Sequence, residues 1–491
     1  MTLDWAPSLI PYVAPSIALA WLIGYLVVDH LARGSGSVFF KVFLGFGFGQ
    51  GIASLTLLGV WSLLGPNRTV LLAVDGAMAL GLIAGRMLRR RLRPAPADPA
   101  LRPPTWTAED GATAVALVLV LGLALFPFLL HALSSPHGHW DAWAIWNLKA
   151  RYLVGLGDRW PWVLSDRLPH THPDYPLLLP GAVASVWAGL RAEPPLAPAL
   201  IGALFTLSTG GLLGVALAAT TRPAVGCLAA AALLATPRFL YEGTAQQADV
   251  PLAFFLLAAV LPLTLSGRRA AGLRPAEAGW LAAAGAGLAA WTKNEGLLFL
   301  ISLTGLTLLT LAAGSCPLSP AARRPFLAVS LAAVFALVAF KLSGTGRNDL
   351  LAAQGWEATF LRLTDPGRYV TVGRGLLGEL RQIGPGHWGW FPLALPAGLL
   401  MIGRRPMRGR ISLWGRGVAL PAGAVALTFL GYLMAYVVSP YDLGFHIGSS
   451  LGRLLVQLWP ATIALGCLAL AGGSDEAAID ASNSPREPQA G

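Results

Sequence analysis

The sequence SSPHGHWDAWAIWNLKARYLVGL occupies Ser134–Leu156 and follows directly on an apolar run, Gly111–Leu133. That run is long enough to cross a bilayer as a helix, which takes about 20 residues. The stretch after it holds two histidines, an aspartate, three tryptophans, a lysine and an arginine. Ionisable groups at a membrane boundary are costly to hold in place unless they have a role. We therefore expect a functional site around Asp141, at the end of a membrane span.

The composition is that of an all-α polytopic membrane protein. Of the 491 residues, 55% are hydrophobic and 12% are charged, whereas a soluble domain carries roughly 25% charged residues. The net charge of +11 comes mostly from arginines in short segments between apolar runs, where they orient helices in the bilayer. Nucleic acid is therefore not an expected partner. Three widely spaced cysteines predict neither a zinc site nor a disulfide framework.

Apolar runs predict about 13 transmembrane helices. The runs are 8–32, 38–63, 69–88, 111–133, 197–220, 223–240, 250–266, 277–291, 295–313, 325–343, 388–403, 417–438 and 450–471. The bias of arginine and lysine among the short loops predicts which side is cytoplasmic. The N-terminus is then outside, and Ser134–Pro198, Tyr241–Val250 and Gly344–His387 are outer segments. Leu177–Leu190 is apolar, but a full span there would reverse every later loop, so we expect a short helix in the outer interface.

Asp141 has ionisable company on the predicted outer face. His137, His139, Lys149 and Arg151 are near it in sequence, and His170, His172 and Asp174 follow in THPDYPLLLPG. Of the four lysines, three (149, 293 and 341) fall outside or at the outer boundary. The alternative is that Asp141 only caps the helix that begins near Trp140.

Several stretches carry a family resemblance. An outward Asp141 after a span is followed by an interfacial helix and a Pro-Leu-rich entry to the next helix. Gln247–Phe255 reads QADVPLAFF and Trp291–Gly296 reads WTKNEG. In their order and sidedness these stretches resemble the GT-C superfamily of membrane glycosyltransferases over about Gly111–Leu342. The nearest resemblance is to bacterial relatives of protein O-mannosyltransferases and lipid A aminoarabinose transferases.

The resemblance implies an inverting glycosyltransferase. It would move a sugar from a polyprenyl-phosphate donor to an acceptor hydroxyl on an envelope glycan, lipid or protein. The active site would face the periplasm or exterior of a bacterial inner (plasma) membrane. Asp141 suits the general base, with inversion expected for a single displacement. Asp249 is the second carboxylate, or alternatively a cap on the helix starting at Val250.

Further residues are candidates for substrate binding. A leaving phosphate needs positive charge where its own charge develops, which Lys149, Arg151 or Lys293 could supply. Glu295 either contacts substrate or pairs with Lys293. His446 and Arg453 share a helix face with Asp442, and either grip the lipid phosphate or acceptor or satisfy one another or a phospholipid headgroup. The full set proposed for substrate binding is Lys149, Arg151, His172, Lys293, Glu295, His446 and Arg453.

Metal dependence and the function class stay open at this point. His137, His139, Asp141, His170 and His172 have the side-chain types for a divalent ion, although no HExxH register exists. The alternative function is a transporter or flippase for lipid-linked or anionic substrates. Such a protein would place ionisable residues near the middle of spans, in interrupted helices. A non-catalytic subunit of an envelope complex is a third class.

The predicted organisation has five parts. Residues 1–105 hold three N-terminal spans and a basic cytoplasmic loop, with no catalytic role assigned. Residues 106–343 form the GT-C-like module with the outer loop 134–198 and its interfacial helices. An outer loop (344–387), C-terminal spans (388–472) and a disordered tail (473–491) follow. Glycines 45, 47, 49 and 51 form overlapping GxxxG pairs and predict helix packing.

Overall fold

The computed structural model describes residues 10–33, 36–92, 106–167, 169–266, 272–342, 355–382 and 417–470. Within these ranges the chain is helical and contains no strand. The helices in chain order are α1 (Ile10–Leu31), α2 (Val38–Leu64), α3 (Arg68–Leu92), α4 (Ala108–Ser134), α5 (Asn147–Gly155), α6 (Leu178–Leu190), α7 (Leu196–Thr220), α8 (Pro223–Leu234), α9 (Pro237–Thr244), α10 (Asp249–Leu265), α11 (Pro275–Thr292), α12 (Asn294–Ala312), α13 (Pro320–Leu342), α14 (Trp356–Leu363), α15 (Pro366–Gln382), α16 (Ala419–Val437) and α17 (Leu443–Leu470).

The described part of the chain is a multi-pass membrane protein with nine helices long and apolar enough to span a bilayer. These are α1 to α4, α7, α12, α13, α16 and α17. The pair α8 and α9 would make a tenth span, bent by 65° at its break. Helix α10 is apolar but has only 17 residues. The predicted run 388–403 and the tail 473–491 lie outside the described residues, so the count of thirteen stays a prediction.

Helix α6 corresponds to the apolar segment Leu177–Leu190, for which the sequence predicts a short helix and not a full span. It has 13 residues, about 20 Å of helix, which is too short to cross a bilayer of about 30 Å. Its residues from Leu178 to Ala184 are buried, and it packs against α2 and α5. The hydroxyl of Ser54 on α2 donates to the carbonyl oxygen of Leu177 at 2.9 Å. The helix is therefore part of the bundle and not a piece resting on its surface.

The glycines of α2 form a close helix crossing. A Cβ on Gly49 would overlap the carbonyl of Ala20 on α1, and one on Gly45 would lie 2.6 Å from the Cα of Tyr25. Close backbone approach of this kind is the usual use of small residues in membrane helices. Packing, as predicted from the GxxxG spacing, explains these glycines.

Two helices set the position of the site. Every residue of α10 is buried, and α10 packs against α7, α11 and α17. It is therefore the centre of the bundle, and its first residue is Asp249. Helix α4 is the opposite case, since Asp110 is its single buried residue and its apolar side chains, such as Leu123 and Phe126, are exposed. A helix of this composition faces lipid.

The segment after α13 is described only over 355–382, where it forms α14 and α15. Trp356, Phe360 and Leu361 of α14 are exposed, as in amphipathic helices that lie at a membrane surface. Arg368 fastens α15 to the end of α16, donating from Nε to the carbonyl oxygen of Val437 at 2.6 Å. It donates from Nη2 to the carbonyl oxygen of Ser439 at 2.8 Å. The described part of the predicted outer loop 344–387 is thus mostly helical.

Candidate functional site

Arg453 joins the two carboxylates singled out from the sequence. Its Nη1 donates to Asp141 Oδ2 at 2.6 Å. Its Nη2 and Nε donate to Asp249 Oδ2 at 2.9 and 3.1 Å. Arg453 is the eleventh residue of α17, about 15 Å along the helix from its start. Arg453 therefore meets Asp249, the first residue of α10, about three turns into α17.

Asp249 is fully buried, with 0% of its side chain exposed. Its Oδ1 accepts from Gln457 Nε2 at 2.6 Å and from Lys293 Nζ at 3.1 Å. Because Arg453 donates to Oδ2, both carboxylate oxygens have donors. Its hydrogen bonds are with the side chains of Arg453, Gln457 and Lys293 and none is with a backbone amide of α10, so Asp249 does not act as a helix cap. A buried charge needs partners of this kind. Asp249 is the anchor for two cations, the buried Lys293 and the partly buried Arg453.

Lys293 lies in the break between α11 and α12. Its backbone is extended (φ −153°, ψ 163°), which interrupts the two helices and turns the side chain toward Asp249. Nζ also contacts Glu295 Oε1 at 2.8 Å. Burial lowers the pKa of Lys293, but the two carboxylates outweigh burial and hold the pKa above its ordinary value. The expected Lys293–Glu295 pair is present, and it is part of the carboxylate site.

Asp141 is the carboxylate of this site that a ligand could reach, since 26% of its side chain is exposed. It directly precedes a short π-helical turn, Ala142–Trp146, and makes no side-chain capping bond. Such π-helical turns are often found at functional sites. The capping alternative is therefore wrong for Asp141 as well. The site therefore has two different carboxylates. Asp249 is buried and pairs with cations, whereas Asp141 is partly exposed and pairs with the same arginine.

Lys149 does not reach this site. It is buried on α5, and its Nζ donates to the carbonyl oxygens of His172 and Tyr175 at 2.6 and 3.4 Å. Burial lowers its pKa to about 7, with Asp174 opposing that effect and Lys341 adding to it. Lys149 therefore fastens the loop around 172–175, and the structure does not bring it to the phosphate-binding place suggested from the sequence.

The same loop is held from its other side by α12 and α13. Lys341 Nζ donates to the carbonyl oxygen of Asp174 at 2.8 Å and to Asn294 Oδ1 at 2.7 Å. Asn294 Nδ2 donates to Asp174 Oδ2 at 2.6 Å. The ring of Tyr175 links this loop to the carboxylate site, because Lys293 Nζ lies 5.8 Å from the ring centre. Lysines 149, 293 and 341 thus all lie close to the loop 172–175.

Three further candidates lie elsewhere. Arg151 pairs with Glu193, Nε to Oε2, at 3.2 Å, and lines a separate cavity of about 470 Å³ with Trp143. His172 stacks on Tyr175 with ring centres 4.8 Å apart. His446 Nδ1 lies 2.8 Å from Ser439 Oγ. The expected pairing among Asp442, His446 and Arg453 is not found, because Asp442 caps its own helix at the amide of Phe445.

Sequence reasoning missed several residues of the site. Gln457 lies one turn after Arg453 on α17 and is itself held by the hydroxyl of Tyr432 at 2.8 Å. Asp442, His446 and Arg453 recur at helical spacing, and continuing that spacing by one turn leads to Gln457. Glu242 is buried on α9 and pairs with Arg238, Nε to Oε1, at 2.8 Å. An acidic residue seven positions before Asp249 was a weak signal on its own.

The histidines expected as possible metal ligands are not brought together. His139 Nδ1 lies 3.2 Å from the hydroxyl of Tyr241, and burial together with His131 and Arg238 lowers the pKa of His139. His172 is on the Tyr175 side of the bundle. Among the residues that the structure describes, no group of three or more His, Cys, Asp or Glu side chains could hold a metal ion.

Comparison with protein-family models, with curated proteins and with solved structures found no match for this chain. The site geometry therefore carries the functional argument.

Proposed function

We propose that this protein is an inverting membrane glycosyltransferase of GT-C type. It transfers a sugar from a polyprenyl-phosphate donor to an acceptor hydroxyl. The observation that carries the proposal is the bridge from Arg453 to both Asp141 and Asp249, three residues that lie far apart in the chain. A displacement with an anionic leaving group requires positive charge beside a reachable carboxylate, and Arg453 and Lys293 supply that charge here.

The residues have separate roles in this proposal. Asp141 takes the proton of the acceptor hydroxyl, whose oxygen attacks the anomeric carbon. The bond from that carbon to the phosphate oxygen breaks, and the phosphate leaves with the electron pair. Arg453 stabilises the negative charge on the leaving phosphate, with Lys293 behind it. Asp249 is a positioning residue, because its oxygens are occupied by Arg453, Gln457 and Lys293.

The proposed place of the reaction is the outer side of a bacterial inner membrane. The support for this orientation is the distribution of basic residues, since short loops rich in arginine stay in the cytoplasm. Lys41, Arg86 and Arg89 form ion pairs with Asp29. These residues lie near the end of α1, the start of α2 and the end of α3, beside the basic loops. The acceptor is an envelope glycan, lipid or protein.

The test uses purified protein in nanodiscs with radiolabelled polyprenyl-phosphate sugars and an envelope extract as acceptor. The intact protein should transfer label. Asp141→Asn keeps the size of the side chain but removes the base, and should lower transfer by roughly a hundredfold or more. The control is Asp158→Asn, which removes an exposed carboxylate elsewhere in the outer loop and should keep full activity.

Two results would contradict the proposal. Asp141→Asn protein with a normal thermal unfolding midpoint and normal turnover would remove Asp141 from the base role. Label transfer from nucleotide sugars, with none from polyprenyl-phosphate sugars, would show that the donor class is wrong.

A transporter or flippase is the second candidate function. Two observations favour it: the break between α8 and α9, bent by 65°, and the position of Arg453 well inside α17. Broken helices and buried ionisable residues are typical of transporters. Movement of a fluorescent lipid-linked sugar across proteoliposomes without sugar transfer would favour this candidate over the enzyme.

A further inference from the structure

A small polar cavity lies among the helices α1, α2, α3 and α6. Its volume is about 30 Å³, which is enough for a particle the size of a water molecule. The polar side chains that line it are Ser16 of α1, Asp75 of α3 and Ser185 of α6, and Gly49 and Ala53 line it from α2. The lining contains no residue of the carboxylate site around Arg453.

Asp75 is the ionisable residue of this cavity. It is 8% exposed, and in the described part of the chain its Oδ1 has no hydrogen-bond partner. It is the eighth residue of α3, about 10 Å along the helix from its start. Helix α3 is long and apolar enough to span the bilayer. A carboxylate at that depth is costly unless its charge is compensated.

Three helices bring oxygen atoms to the same level around Asp75. Ser16 is the seventh residue of α1, and α1 and α3 begin at the same end of the bundle because α2 runs back between them. Ser185 comes from α6, which packs against α1 and α3. A Cβ on Gly189 of α6 would lie 3.4 Å from Ser16 Oγ and 4.0 Å from Leu72 Cδ2. The carboxylate and two hydroxyls therefore share one enclosed space.

The charge of Asp75 needs a partner in the cavity. Cavities that stay empty are apolar, so a polar cavity holds water or an ion. Water alone would leave the negative charge uncompensated. A proton would remove the charge, but the carboxyl group would still need hydrogen-bond partners, and the hydroxyls of Ser16 and Ser185 line the cavity without reaching Oδ1. A cation between these groups would compensate the charge and use the hydroxyl oxygens as ligands.

Charge and size identify the class of cation. One carboxylate balances one positive charge, so a divalent ion would leave an uncompensated charge in a buried place, which is costly. The side-chain donor atoms are oxygens, which suit hard cations. A cavity of about 30 Å³ favours sodium over the larger potassium ion.

We propose that this cavity is a sodium site, formed by Asp75, Ser16 and Ser185. The inference is independent of the proposed sugar transfer. It gives a role to the N-terminal helices, for which the sequence suggested none in catalysis. A bound ion would join α1 and α3 to α6, which packs against α5, and would stabilise the folded bundle.

Thermal unfolding tests the site. The full-length protein in phosphatidylcholine nanodiscs is heated in sodium, potassium or choline chloride at equal ionic strength and neutral pH. The unfolding midpoint should rise with the concentration of sodium, because an ion that binds only the folded state stabilises it. It should rise much less with potassium and not with choline. Asp75→Asn should abolish the response to sodium.

Further variants make the test specific. Ser16→Ala and Ser185→Ala each remove an oxygen ligand and should weaken sodium binding roughly tenfold. Asp158→Asn makes the same chemical change at an exposed carboxylate and should keep the full response to sodium. If Asp75→Asn fails to fold, equilibrium binding of radioactive sodium to the intact protein and to the two serine variants keeps the proposal falsifiable.

Three outcomes would overturn the proposal. Equal midpoints in sodium, potassium and choline, with no radioactive sodium retained, would indicate a protonated Asp75 beside water. A response to sodium that persists unchanged in Asp75→Asn would place the ion elsewhere. A stronger response to magnesium or calcium would show that the site is not one for a monovalent ion.

Discussion

Asp249 compensates the buried positive charge of the site, and its replacement should be more damaging than that of Asp141. Asp249→Asn leaves Arg453 and Lys293 short of a charge partner in a buried place. Breaking a buried ion pair costs about 3–5 kcal/mol. We expect a large fall in the thermal unfolding midpoint in detergent, measured by nanoscale differential scanning fluorimetry.

Asp141→Asn is the matched comparison for this effect, because Asp141 is partly exposed and contacts Arg453 through one oxygen. Its destabilisation should be clearly smaller. Equal midpoints for the two variants would show that Asp249 is not the anchor of the cluster.

Lys149 should give the stability of the protein a defined pH dependence. Burial lowers its pKa to about 7 in the folded state, whereas an unfolded chain keeps the proton up to about pH 10.4. Between these values the unfolded state binds more protons, so stability rises with pH through this window. Below about pH 7 both states are protonated and the contribution is constant.

The comparison with Lys149→Met isolates this effect. The unfolding free energy of the intact protein, minus that of the variant, should increase from pH 7 to pH 9, by up to about 1.4 kcal/mol per pH unit. Denaturant unfolding in detergent at pH 6, 7, 8 and 9 measures the difference. Parallel curves for the two proteins across that range would contradict a lowered pKa.

Among the helices, α15 is held by one arginine and one small apolar cluster. Val372 is its single buried residue and packs with Tyr436 of α16 and Ile447 of α17, while Arg368 donates to three carbonyl oxygens at the end of α16. Arg368→Ala should speed hydrogen exchange across 366–382 by roughly tenfold or more, since bonds from a charged donor are lost. Mass spectrometry of deuterium uptake measures this.

The rest of the bundle serves as the internal reference. Exchange in α10 and α11 should not change in Arg368→Ala. The control variant is Arg374→Ala, an exposed arginine on the same helix, which should exchange like the intact protein. Unchanged uptake in 366–382 of Arg368→Ala would mean that other contacts hold α15.

The whole molecule has two chemically different ends. One holds the carboxylate–cation site, and the other holds the basic cluster around Asp29. Gly65 at the end of α2 lies beside Asp158, and Trp61 Nε1 donates to the carbonyl oxygen of Leu153 at 2.8 Å. The end of α2 is therefore on the same side as the loop that follows α4. The predicted alternation of the spans requires this.

Reporter fusions test the orientation. Fusions at Gly157 and Gly344 should report the outside, and fusions at Arg90 and Gly409 the cytoplasm, because arginine-rich loops are retained there. Each position carries a phosphatase fusion, which is active outside, and a fluorescent-protein fusion, which is fluorescent in the cytoplasm. Every position therefore gives a positive signal from one of the two reporters. A reversal at any of the four positions contradicts the predicted topology.

The sequence by itself determined the helical, membrane-spanning class and most helix bounds. An apolar run must satisfy its backbone internally in lipid, so run length and glycine spacing are local signals of structure. Asp141, Asp249, Lys293, Glu295 and Arg453 were also found from the sequence, because ionisable residues are rare in such a chain. The count of spans and the family assignment remain predictions.

Only the tertiary structure decided which charges meet. Arg453 lies 312 positions from Asp141 and 204 from Asp249, and no local pattern encodes pairing over such separations. Helix packing placed Lys149 on the 172–175 loop and Arg151 beside Glu193, since burial of neighbouring apolar faces sets the side-chain positions.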